Sequence, residues 1–222
     1  RRSAAANFRL LDSVRGSTKE LFPNTAIAEQ TFTGVSSFNK DGFTLATADS
    51  NYNLNTATYV AWCWKGGGAA VTNNDGSITS SVSANQEAGF SVVSYTGTLS
   101  SGTVGHGLGK TPNIMWVKNR ADASNWSGNG NAGGRLIYGT NKVYLHSGSG
   151  LLADTNEVTD ANATTFTVSN SAATNNTNDG MIAWCWTSIP GFSKFDVYTG
   201  NGSTDGAYVH LGFRPACLIF FC

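Results

Sequence analysis

Residues 59–65 read Tyr-Val-Ala-Trp-Cys-Trp-Lys, and the Ala-Trp-Cys-Trp part of this phrase returns at residues 183–186. Successive side chains of an extended strand point to opposite faces, so Trp62 and Trp64 share one face and the residues beside them share the other. Both faces are then apolar, which is typical of a central strand that is covered on both sides. We therefore predict two strands with buried indole rings, one at each phrase.

A second phrase also occurs twice, which indicates a repeat protein. Gly89-Phe90-Ser91 with Tyr95-Thr96-Gly97 returns as Gly191-Phe192-Ser193 with Tyr198-Thr199-Gly200. The Trp-Cys-Trp phrases lie 122 residues apart and the Gly-Phe-Ser phrases 102 residues apart. The difference falls between the two phrases, where the sequence is rich in Gly, Thr, Asn and Ser. The repeating unit is therefore about 100 residues long, with a joint of variable length.

The repeat predicts a division of the chain. Residues 1–65 correspond to the C-terminal half of a unit, 66–88 to a linker or insertion, 89–187 to a complete unit and 188–222 to an N-terminal half. Two explanations of the halves stay open: the chain is a piece of a longer array, or its two ends complete a second unit by permuted pairing. We expect the first, because there is no initiator Met and the sequence stops inside an apolar run.

The composition favours an all-β fold with a neutral surface. Charged residues make up 13% of the chain, and 14 basic residues balance 14 acidic ones, so we expect neither nucleic acid nor an anionic membrane as a partner. No apolar run is long enough to insert into a membrane. Period-two alternation and frequent turn signals predict a β-sandwich or jelly roll of two tandem related units with little helix. We expect Cys63 and Cys185, which repeat, to be buried thiols.

The sequence offers little that is typical of catalysis. Asp75, Asp179 and Asp205 each precede a glycine, which favours a role in turns over acid–base chemistry. The three histidines lack metal-ligand spacing, and His106 and His210 recur before similar phrases, so we interpret them as architectural. We expect no enzyme activity, no metal site and no cofactor.

The sequence contains more features typical of ligand binding than of catalysis. The stretch from Tyr198 to Asp205 combines an aromatic ring with Asn201 and several hydroxyl groups, which can stack on a sugar ring and hydrogen-bond its hydroxyls. Trp126 lies in a second segment of this kind. Our candidate ligand-binding residues are therefore Trp126, Tyr198, Asn201 and Asp205. The alternative, that the two aromatic rings belong to the core or its rim, stays open.

An ordered set of motifs resembles the repeated modules of tailed-bacteriophage tail-fibre and virion-appendage proteins, of the type found in phages of marine bacteria and cyanobacteria. The motifs are Leu11-Asp12-Ser13-Val14-Arg15-Gly16, Ser37-Phe38-Asn39-Lys40-Asp41-Gly42-Phe43, Tyr59-Val60-Ala61-Trp62-Cys63-Trp64-Lys65, Val104-Gly105-His106-Gly107-Leu108-Gly109-Lys110-Thr111-Pro112, Val117-Lys118-Asn119-Arg120, Gly191-Phe192-Ser193-Lys194, Tyr198-Thr199-Gly200-Asn201-Gly202, Asp205-Gly206 and Gly212-Phe213-Arg214-Pro215. The resemblance covers most of the chain. It implies a lectin-like β-sandwich, assembled in the bacterial cytoplasm and displayed on the virion surface, and it brings no catalytic residues.

Three functions follow as hypotheses. The first is a non-enzymatic virion module that binds a host surface glycan or receptor. The second is a purely structural fibre or capsid-decoration component, and the third, which we favour least, is a glycan depolymerase. In each case we expect other virion proteins and copies of the same chain as partners, in a homo-oligomer that can be a trimer.

Overall fold

The computed structural model of the protein describes residues 6–46, 49–132, 135–136, 141–144, 152–153, 157–196 and 198–219. These residues form seventeen short strands and one helix of four residues, which confirms the predicted all-β fold with little helix. The elements are β1 (Leu10–Asp12), β2 (Gly16–Leu21), β3 (Gln30–Thr31), β4 (Val35–Phe38), β5 (Phe43–Leu45), β6 (Val71–Asn73), β7 (Ser80–Asn85), β8 (Phe90–Thr96), β9 (Gly102–Gly105), β10 (Ile114–Asn119), β11 (Ser127–Ala132), β12 (Arg135–Leu136), β13 (Asn141–Tyr144), β14 (Leu152–Ala153), β15 (Val158–Ala161), β16 (Thr165–Val168), α1 (Ala172–Asn175) and β17 (Gly180–Trp186).

A nine-stranded antiparallel sheet forms the centre of the molecule. Its strands follow the order β14-β13-β11-β10-β17-β8-β7-β6, and β12 pairs with β11 beside this path. The second Trp-Cys-Trp phrase forms β17, which lies between β10 and β8 with Trp184 opposite Trp116 and Val92. The predicted central strand at this phrase is therefore confirmed.

Both faces of β17 are covered, as the sequence pattern predicts. Met181, Ala183 and Cys185 point into a core that the three-stranded sheet β15-β16-β9 closes. On the opposite face, Ile182, Trp184 and Trp186 pack in a second core with Leu21 of β2, and the sheet β1-β2-β3 lies on this side. Cys185 is fully buried, as expected. The central sheet is thus the shared layer of two cores.

The first Trp-Cys-Trp phrase differs from the prediction. The structure assigns no strand to residues 59–65, and Trp62 exposes 63% of its surface to solvent. Cys63 is likewise exposed, so its predicted burial is wrong. The physical reason is the lack of neighbours: a strand is stabilised by the strands beside it, and no described strand pairs with this segment.

Residues 66–88, which the spacing predicts to be a linker or an insertion, contain two strands of the central sheet and are therefore not a linker. β6 and β7 lie within this range and continue the central sheet beyond β8. Val82 of β7 is buried in the first core. The Gly and Ser residues that resemble a linker instead allow close packing, because Gly67 lies against the backbone of Ala84 where a Cβ atom would not fit.

The repeat is visible in the geometry of two hairpins. In β4–β5, Val35 pairs with Leu45 and Phe38 with Phe43, with an irregularity between them. In β15–β16, the residues 123 positions later make the same pairs: Val158 with Val168, and Ala161 with Phe166, with the irregularity at the same place. The two hairpins therefore have the same register.

Candidate functional site

Trp126 is not a ligand-binding residue. Its side chain is fully buried, its ring stacks on Trp184 with centroids 5.5 Å apart, and its indole N–H donates to the carbonyl oxygens of Phe22 (3.0 Å) and Thr25 (2.9 Å). A glycan cannot reach a ring in this position. The candidate role of Trp126 in ligand binding is therefore wrong, and the alternative that its ring belongs to the core holds, because the N-terminal region, more than 100 residues away in sequence, covers it.

The other three candidate residues lie in one exposed loop, which we call the 198–205 loop. Tyr198 exposes 55% of its surface, and Asn201 and Asp205 are exposed. The amide of Asn201 donates to the carbonyl oxygen of Asp205 (2.9 Å) and accepts from the backbone N–H of Ser203 (3.1 Å). The side chain of Asn201 therefore fixes the loop, while the carboxylate of Asp205 and the ring of Tyr198 are accessible to a ligand.

A shallow groove on the central sheet is a second candidate that the sequence reasoning missed. The groove has a volume of about 330 Å³ and is lined by Thr72, Thr79, Ser80, Ser81, Ser94, Tyr95, Thr96, Arg120 and Gly180. Its lining offers many hydroxyl groups and one guanidinium. Tyr95 is buried, however, and its hydroxyl donates to the carbonyl oxygen of Thr174 (2.5 Å). The groove can hydrogen-bond a polar ligand but presents no ring for stacking.

An ion network around Glu29 holds the N-terminal region against the complete unit. Arg120 donates two hydrogen bonds to the carboxylate of Glu29, each of 2.8 Å, and Arg15 donates a third of 3.0 Å. The backbone N–H of Glu29 also donates to the carbonyl oxygen of Arg120 (2.9 Å). Burial raises the pKa of Glu29, but the hydrogen bonds and charges of Arg120 and Arg15 outweigh it and hold this pKa below its ordinary value. This network is structural in character.

His106, Asp75 and Asp179, which the sequence pattern indicates to be architectural, have structural roles. His106 is buried; its Nε2 lies 3.1 Å from the carbonyl oxygen of Asn162, and its Nδ1 accepts from the N–H of Leu108. Burial lowers the pKa of His106, which favours the neutral ring. Asp75 and Asp179 bind neighbouring asparagine amides in the connections before β7 and β17, which confirms their turn role.

Lys118 is the buried basic residue of the central sheet, and it provides a test of the packing. Its ammonium donates to the carbonyl oxygens of Asn119 (2.6 Å) and Asp122 (2.9 Å), and burial lowers its pKa to about 8. The unfolded chain keeps this proton up to about pH 10.5, so stability should rise with pH above pH 8. The thiol of Cys185, whose pKa burial raises, opposes this rise only above about pH 9.

We expect the wild-type chain to gain about 1 kcal/mol in free energy of unfolding between pH 8 and pH 9 relative to Lys118→Met. Urea titrations of both proteins at the two pH values measure this difference. Equal changes in the two proteins would contradict a buried, charged Lys118.

Among the described residues, no group of three or more His, Cys, Asp or Glu side chains is placed to hold a metal ion. Within the same residues, the structure contains no helix with the length and apolar character needed to cross a membrane.

Comparison with known proteins gives one match. Residues 1–221 match the family described as a domain of unknown function, DUF7483. Searches among curated proteins and among solved structures found no match.

Proposed function

We propose that this chain, which belongs to the DUF7483 family, is a non-enzymatic module of a bacteriophage virion that binds a glycan on the host surface. The observation that carries the proposal is the 198–205 loop, which carries an exposed tyrosine ring and, seven residues later, an exposed carboxylate. The resemblance of the repeated phrases to tail-fibre and appendage modules supports the virion location.

The chemistry of the loop suits a neutral sugar. An aromatic face packs on the C–H groups of a sugar ring, and a carboxylate accepts hydrogen bonds from its hydroxyls. Tyr208, a second ring of the same region, exposes 89% of its surface. The chain as a whole has no net charge, so recognition would depend on these contacts rather than on long-range attraction.

The loop supports binding better than hydrolysis. Glycoside hydrolysis generally uses two carboxylates, about 5 to 9.5 Å apart. Residues 198–205 carry a single carboxylate, that of Asp205. Incubation with host capsule should therefore release no reducing ends, and release of reducing ends would favour the depolymerase instead.

Binding can be tested with bacterial surface glycans on an array. We expect Tyr198→Ala and Asp205→Ala each to weaken binding about tenfold, the effect of losing about 1.4 kcal/mol of contact energy. Phe8→Ala is the matched control, because Phe8 is an aromatic ring of similar exposure, 64% against 55% for Tyr198, near the other end of the sequence. An array without any binder, together with normal adsorption by virions that lack the module, would exclude this function.

A structural role is the second candidate, and a different observation favours it. Large apolar side chains are exposed in two segments of the chain, among them Trp62, Trp64, Phe192, Leu218 and Ile219. Monomeric proteins seldom expose this much apolar surface without a contact to make. The position of the chain on the particle and its oligomeric state in solution distinguish this role from glycan binding.

A further inference from the structure

The N-terminal region contains a structural copy of part of the complete unit that extends beyond the hairpin β4–β5. In the helical turn before β17, the N–H of Asn175 donates to the carbonyl oxygen of Ser171 (2.7 Å). The N–H of Asn53 donates in the same way to the carbonyl oxygen of Asp49 (2.8 Å), 122 residues earlier. Three residues after each asparagine the backbone has a positive φ, at Thr56 (65°) and at Asn178 (62°). Residues 35–46 and 49–57 therefore repeat these features of residues 158–179.

In the complete unit, this substructure is covered by strands that come earlier in the chain. β16 pairs with β9, and Asn175 binds the loop after β8, where its side chain accepts from the N–H of Thr98 (2.8 Å). Phe166 of β16 is fully buried as a result. Its counterpart Phe43 in the N-terminal copy is exposed, and no described strand lies on the free edge of β5.

The missing strands have their sequence counterparts at the other end of the chain. Gly191-Phe192-Ser193 repeats the start of β8, and the apolar run after Pro215 repeats the run of β10 after Pro112. Among the described residues 188–196 and 198–219 the structure shows no strand, only a single bridge between Ile189 and Ser193. Residues 191–219 thus contain sequence counterparts of the strands that cover β15–β16 in the complete unit, whereas no described strand of this kind covers the hairpin β4–β5.

We propose that the described residues 35–46 and 49–65 of one copy pair with residues 191–196 and 198–219 of a second copy, so that the two segments complete one repeating unit between them. The partner is a second copy because, among the described residues of a single chain, no strand pairing joins the two segments, although Trp64 contacts the ring of Trp186 and Phe195 packs against the second core. Trp62, Phe192 and other large apolar side chains of the two segments are exposed. Addition of strands to an unpaired edge is an established mode of association between chains. Since each copy offers one segment of each kind, the contact is head-to-tail.

The complete unit fixes the register of this contact. Cys185 of β17 lies opposite Ser91 of β8. The corresponding pair is Cys63 of one copy opposite Ser193 of the next. Trp64 would then lie opposite Phe192, as Trp186 lies opposite Phe90. Both aromatic residues are exposed in the single chain and would become buried in the contact.

A disulfide can report this register directly. We replace Cys217 and Cys222 by Ser, introduce Ser193→Cys and oxidise the protein mildly. Directly opposed residues on antiparallel strands are close enough for a disulfide, so we expect covalent dimers and larger species on non-reducing gels. Lys194→Cys in the same background is the matched control. Its side chain points to the other face of the strand, and it should yield far less crosslinked product.

Two other results of this experiment overturn the proposal. A crosslinked product that remains monomeric shows that the two segments close within one chain. Equal crosslinking at positions 193 and 194 shows collision of exposed thiols without a defined register.

Blocked variants test the head-to-tail geometry without crosslinking and without any glycan. In the complete unit the N–H of Thr187 donates to the carbonyl oxygen of Gly89 (2.8 Å), so Cys185 and Ser91, two residues further along the same ladder, also form a hydrogen-bonded pair. Their counterparts Cys63 and Ser193 would face each other in the same way. Cys63→Pro therefore removes a backbone donor to the contact from one segment, and Ser193→Pro removes one from the other. We expect each variant alone to be monomeric by light scattering, and their equimolar mixture to form a dimer of doubled mass and nothing larger. The wild-type chain should form dimers or larger species as its concentration rises. A wild-type chain that stays monomeric at all concentrations overturns the proposal.

Discussion

Trp184→Ala is expected to lower the free energy of unfolding by about 3 to 5 kcal/mol. The ring of Trp184 is 1% exposed, stacks on Trp126 and carries the guanidinium of Arg15 5.2 Å from its centre. Its removal leaves a cavity in the core that joins the central sheet to the N-terminal region. Denaturant unfolding, followed by tryptophan fluorescence and by circular dichroism, measures the loss.

The repeat provides an exact sequence control for this variant. Trp62 occupies the corresponding position of the first Trp-Cys-Trp phrase, but it is largely exposed. Trp62→Ala should change the stability of the single chain by less than about 0.5 kcal/mol. Trp184→Phe should cost less than Trp184→Ala, because its ring stays apolar and the indole N–H of Trp184 has no hydrogen-bond partner among the described residues. Equal effects of the two alanine variants would contradict the different burial of the two phrases.

The two phrases show how far local sequence predicts this fold. The alternation of Trp, Cys and Trp is the same in both, and it correctly predicts a strand with two apolar faces at β17. It fails at residues 59–65, because a central strand needs a neighbouring strand on each edge and the pattern does not say whether these neighbours are present. The prediction of a linker at residues 66–88 fails for a related reason. Their Gly and Ser content resembles a linker, yet β6 and β7 gain their stability from pairing onward from β8.

The candidate site also contains features that local sequence predicts and features that depend on contacts between distant residues. The exposure of Tyr198, Asn201 and Asp205 follows from a local loop whose turn-forming residues are visible in the sequence. Trp126 has similar polar neighbours but is buried by carbonyl groups of distant residues. The hydroxyl-lined groove was missed because residues of four strands (β6, β7, β8 and β17) and Arg120 form it together. Alternating Ser and Thr residues on β7 and β8 are the signal that could have indicated it.

Glu29→Gln is expected to destabilise the protein by about 3 kcal/mol. The substitution keeps the shape of the side chain but leaves the guanidinium of Arg120 without its charged partner and that of Arg15 with one partner fewer. Arg15 is fully buried, so it cannot turn to water instead. The loss should appear first in the contact between the N-terminal region and the central sheet. Hydrogen exchange of residues 10–31 should therefore accelerate more than that of β8 and β17.

Acid should weaken the same contact in the wild-type protein. Because the pKa of Glu29 in the folded protein lies below 4.5, the ion network contributes its full stability above that pH. This contribution is lost as the pH falls through the lowered pKa, and Glu29→Gln should remove that part of the acid dependence. Asp196→Asn is the matched control. It breaks a more exposed ion pair with Lys194 and should cost no more than about 1 kcal/mol. If the two variants have equal stability, the N-terminal region is not held by Glu29.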